Sequence, residues 1–150
     1  MAASLMTHEP DLKLNGFCLW VHGYEFPDTS EYWDANWLRI TARMSASGAV
    51  VEVEGALVRT DELERFAEGL TAVFETLAGK AELKCLEPYL ELSLEMQSLG
   101  AVAVRVSITP DPLSQSHSFE FGVDQSYLPP VLDACRRILA DFPVKGSPSD

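Results

Sequence analysis

Period-two alternation of apolar and polar residues, in paired runs joined by short turns, constrains this chain more than any other feature. From Trp37 to Met44, Leu38, Ile40, Ala42 and Met44 share one side, with Arg39, Thr41 and Arg43 on the other. The turn-like "SASG" of Ser45 to Gly48 follows, and Val51 to Val58 then runs with Glu52 and Glu54 outward. Such alternation marks strands with one buried face, and two of them around a short turn make a hairpin. A second hairpin pairs Leu90 to Met96 with Ala101 to Ile108 across "QSLG". His117 to Val123 adds a strand through Phe119, Phe121 and Val123, and Leu12 to Tyr24 supplies the first.

Two segments change to a period of 3.6. Leu63, Phe66, Ala67, Leu70, Val73, Phe74 and Leu77 form one helical face between Thr60 and Leu77. Thr60 is the expected N-cap, Asp61 and Glu62 suit the positive end of the dipole, and Gly79 is the expected C-terminal cap. A closing helix runs from Leu128 to Asp141, with Pro129 and Pro130 in its first turn and Pro143 beyond its end. The expected order is βββ-α-ββββ-α. Strands joined by short turns imply antiparallel pairing, so the expectation is an α+β fold with one sheet of about six to seven strands and two helices packed on it. At 150 residues, one domain over 1–150 is expected, with 143–150 as a flexible tail.

Composition removes several function classes. The net charge of −12 repels phosphate backbones and anionic membranes, so nucleic acid and membrane are not expected partners. The opening "MAASLMTHEPD" lacks the basic and apolar regions of a signal peptide, and no run approaches the ~18 apolar residues of a membrane span. A cytoplasmic protein is expected. Cys18, Cys85 and Cys135 are far apart without CxxC spacing, which suits reduced thiols. His8, His22 and His117 lie in different segments without metal-ligand spacing, and no phosphate loop, dinucleotide motif or nucleophile elbow is present. No cofactor, no metal and no catalytic residue are assigned, and the chain is expected not to be an enzyme.

The stretch from Trp20 to Trp37 is different. It interleaves Trp20, Tyr24, Phe26, Tyr32, Trp33 and Trp37 with Glu25, Asp28, Glu31 and Asp34, and from Leu14 to Leu38 there is no Lys or Arg. "FPDTSEYWD" is too rich in turn formers for a strand and reads as a loop. Aromatic residues among acids suit protein recognition, because rings supply contact area while carboxylates steer a basic partner. They also suit a structural role in which Trp37 and Asn36 lock the start of the strand that follows. For Glu31 and Asp34 both readings stand. In "CLEPYLEL", Glu87 and Pro88 interrupt an apolar run and mark a bend.

"YEFPDTSEYWDANWLRI", the helix opening "LVRTDELERFAEGL" and "CLEPYLEL", in that order between Gly23 and Leu94, resemble the bacterial immunity proteins of the WapI type. That family carries a W-D-x-N-W-L-like segment and an F-L-E-P-x-L-like segment; here Cys85 stands where an aromatic is common. The resemblance implies a small protein that neutralises a cognate toxin by binding it. The expected contact residues are Glu31, Asp34 and Trp33, with Asp28 and Glu25, facing a basic toxin domain. The competing expectation is a small-molecule or peptide-binding module that uses the aromatic loop 20–37 as a pocket wall.

Overall fold

The computed structural model describes residues 8–148; Ser149 and Asp150, the end of the expected tail, lie outside the described residues, as do residues 1–7. Strands β1 (Leu12–Leu14) and β2 (Phe17–Tyr24) are followed by a four-residue helix, α1 (Tyr32–Ala35). Next come β3 (Trp37–Ala46), β4 (Ala49–Arg59) and the long helix α2 (Thr60–Thr76). Strands β5 (Lys80–Lys84), β6 (Leu90–Met96), β7 (Ala101–Ile108) and β8 (Ser118–Asp124) lead to α3 (Leu128–Asp141).

The class is α+β and the ladders are antiparallel, but the single sheet of six to seven strands is corrected to two four-stranded sheets, β1-β2-β3-β4 and β5-β6-β7-β8. Alternation reports which face of a strand is buried and says nothing about its lateral neighbour. The 17-residue α2 spans roughly 25 Å at 1.5 Å per residue. It carries the chain away from β4, so the later strands build a ladder of their own. The first expected strand is itself a hairpin, turning at Asn15 (φ 54°) and Gly16. A Cβ on Gly16 would stand 2.0 Å from the Ser45 carbonyl oxygen, so only glycine lets β3 pass so close.

Both sheets turn apolar faces to one continuous core, in which Phe17, Leu38 and Ile40 of the first sheet join Leu92, Val104 and Val106 of the second. Helix α2 packs on β5 and α3, α3 reaches β1, and β3 and β4 meet β7. Leu63, Phe66, Leu70 and Val73 are buried under α2 as the period required, while Phe74 and Leu77 at its end are exposed. The expected caps shift by a residue or two. Arg59 is the N-cap and Leu77 (φ 53°) closes the helix, because the Thr60 hydroxyl is engaged elsewhere. No helix among the described residues is long and apolar enough to cross a membrane.

Candidate functional site

The α1 segment, the opening of α2 and the Leu86–Pro88 bend are joined through Asn36, Arg59 and Glu62. Asn36, fully buried after α1, uses its whole amide. Its Nδ2 donates to the carbonyls of Tyr32 and Lys145, both at 2.9 Å, and its Oδ1 accepts from Thr60 Oγ1 at 2.6 Å and from the Lys145 amide at 2.8 Å. Two donors and two lone pairs are all the group possesses. Asn36 therefore locks the start of β3, as expected, and also ties down the chain beyond α3. Residues 143 and 145 belong to the segment expected to be a tail, and the Pro143 carbonyl accepts the Tyr24 hydroxyl at 2.6 Å.

Beside it Arg59 is 2 % exposed at the end of β4. Its guanidinium donates to Asp61 Oδ1 at 2.9 Å, to the Tyr32 carbonyl at 3.2 Å and to the Trp33 carbonyl. The rings of Tyr32, Trp33 and Trp37 surround it, with centroids 5.2–5.3 Å from its carbon. Glu62 completes the clasp: one oxygen takes the Arg59 amide at 2.8 Å and the other the Leu86 amide at 2.7 Å, which pins the Leu86–Pro88 bend. Burial raises the Glu62 pKa, against the lowering effect of those two amides. The buried Asp61 also meets Arg65 at 3.2 Å. Among the described residues no buried side-chain nitrogen or oxygen lacks a partner.

The clasp presents a rim. The expected loop is corrected at Tyr32–Ala35, where a single helical turn forms too short for periodicity to reveal. Trp33 is 53 % exposed although its ring also meets the Arg59 guanidinium. Asp28, Glu31 and Asp34 are exposed, and among the described residues none of them forms an ion pair. Glu25 differs: it is half-buried and bonded to Arg39 at 3.1 Å. Of the remaining aromatics, Trp20 is buried, with its indole donating to the His8 carbonyl at 2.9 Å, and Tyr32 is buried beneath Trp33.

Sequence reading missed Arg59 and the hollow beside it. A concavity of about 420 Å³ lies between the Phe26 loop, Trp37, the bulge of β4 at Ala56 and Leu57, and the Glu87–Tyr89 bend. Another, about 670 Å³ and less open to solvent than the first, lies on the outer face of the second sheet among small side chains such as Ala103 and Gly122. The signal for the clasp was an arginine closing an apolar strand directly before Thr-Asp-Glu.

The three thiols are free. Burial pushes the Cys135 pKa up to about 12, and raises Cys85 well above its ordinary value with the Glu62 and Glu91 carboxylates adding to the effect. Cys18 is raised by burial too, so none has the depressed pKa of a reactive thiolate. His22 meets Thr41 Oγ1 at 2.8 Å and His117 meets Gln115 at 3.3 Å. Among the described residues no group of His, Cys, Asp or Glu could hold a metal ion.

The family model described as "Immunity protein WapI-like family" matches residues 7–143. Comparison with curated proteins and with solved structures gives no match.

Proposed function

This chain belongs to the WapI-like immunity protein family, and on that premise we propose that it neutralises a cognate toxin by binding it, without catalysis, through the acidic rim at α1. Glu31, Asp34 and Trp33 form the centre of the contact, with Asp28 and Glu25 at its edge. The observation that carries the reading is the half-exposed Trp33, held by its stacking on a buried arginine and bordered by carboxylates that have no ion pair among the described residues. A ring fixed in advance loses little entropy on binding, and unpaired carboxylates around it steer a cationic partner. The partner is a basic toxin domain, met in the cytoplasm. An acidic surface covers the face with which such a toxin would engage its target, while it repels nucleic acid and anionic lipid.

The second reading, a small-molecule or peptide-binding module, has one observation in its favour: Phe26 and Trp37 of the aromatic loop wall the hollow described above. Affinity capture from lysate of the native organism separates the two. Tagged wild-type protein retains a basic protein that salt releases, and the Glu31→Lys, Asp34→Lys double variant retains roughly tenfold less or none. Equal retention by both forms would overturn the rim as the contact surface, and retention of no protein would favour the module.

A further inference from the structure

We infer that the hollow between the Phe26 loop and the Glu87 bend is a receptor for one arginine side chain of a protein partner. The inference deepens the immunity reading by naming a side chain the toxin presents, and it rests on that reading for the partner being a protein. The walls are the rings of Phe26, Trp37 and Tyr89 with Ala56 and Leu57, and the one charged group lining them is Glu87. Leu57 arrives there through a bulge: Leu38 pairs with Val58 and Arg39 with Ala56, which leaves Leu57 as the extra residue. Glu87 arrives there because Glu62 clamps the Leu86 amide just before it.

Glu87 is half-buried and has no hydrogen bond or ion pair with any described residue. Arg39, on the same outer face of β3, is committed to Glu25 at 3.1 Å and to Glu54 at 4.0 Å. Arg59, against Trp37, is held by Asp61. The hollow thus combines aromatic walls with an uncompensated, partly desolvated carboxylate. A guanidinium satisfies both at once, because its plane stacks on a ring while its fork meets a carboxylate; an ammonium offers only a point charge. A second hollow of about 390 Å³ shares Leu57 and Tyr89 and continues past Glu52, Glu54 and Pro110, so the chain flanking the arginine has a track along the outer strand β4.

The test is NMR titration of isotope-labelled protein with the blocked tripeptide acetyl-Gly-Arg-Gly-amide and its citrulline counterpart. The arginine peptide shifts the Trp37 indole and the Phe26 and Tyr89 rings saturably, and the neutral citrulline peptide does not. Glu87→Gln weakens binding roughly tenfold, and Phe26→Ala, at an exposed position, weakens it as well. Equal binding of citrulline, equal binding by Glu87→Gln, or shifts scattered over the acidic surface without saturation would overturn the proposal. Binding of the tripeptide by a chain that captures no protein from lysate would retire the immunity reading and keep the receptor; capture of a basic protein without tripeptide binding would do the reverse.

Discussion

The two sheets are held by different physics. In the second, β6 and β7 pair Leu92 with Val106 and Leu94 with Val104 on the buried side, while the polar groups outside, such as Arg105 and Glu120, meet at 2.7 Å in full view of water. In the first, the same kind of ladder ends in buried polar groups: Asn36, Arg59, Thr60, Asp61 and Glu62 are all buried and satisfy one another. An apolar face is non-directional and tolerates small adjustments, whereas a buried polar network gains its energy only when every member is placed. The difference accounts for why α1 and the Leu86–Pro88 bend, neither of which has a core of its own, sit where they do.

The largest effect on this contrast is expected from Arg59→Ala, which leaves the buried Asp61 with only the exposed Arg65 as a cation and strips the Trp33 carbonyl of its guanidinium donor. A loss of about 3–5 kcal/mol in chemical denaturation is expected. Asn36→Ala takes their side-chain partner from the Lys145 amide, the Lys145 carbonyl and the Thr60 hydroxyl, and is expected to cost roughly 2–3 kcal/mol. In the second sheet Arg105→Ala removes an ion pair whose side chains are 63 % and 67 % exposed, and should cost about 0–1 kcal/mol.

The subtlest effect concerns pH. Burial raises the Glu62 pKa above its unfolded value, so the folded state holds this proton more tightly. Its stabilising contribution is complete below the unfolded pKa, near 4.5, and is lost as pH rises through the higher folded value. Wild-type stability measured relative to Glu62→Gln should therefore decline from pH 4.5 toward neutrality. A difference that grows over that window would mean that the two amide bonds outweigh desolvation.

How legible this was depends on the distance over which residues interact. Helix α3 and the inward residues of β6 and β7 follow from local period, because each position repeats its neighbour's environment. The Asn15-Gly16 pair is a hairpin signal inside the alternating run Leu12 to Tyr24, which period alone reads as one strand. The clasp is another case. Asn36 bonds Lys145 across 109 residues and Arg59 reaches Trp33 across 26, and no local pattern encodes such a pairing. Arginine is also a residue that composition assigns to the surface. The motif "DANW" attracted attention for its rings and acids, while its buried Asn36 does the structural work and Trp33 and Asp34 stay at the surface.

One short segment thus separates into a buried clasp that holds the fold and an exposed rim free for a partner. Thermal unfolding of Asn36→Ala beside the Glu31→Lys, Asp34→Lys double variant tests it directly. The double variant is expected to melt within about 2 °C of wild type while Asn36→Ala falls by roughly 5–10 °C. A double variant that falls as far as Asn36→Ala would show that the rim acids belong to the scaffold and would contradict the division.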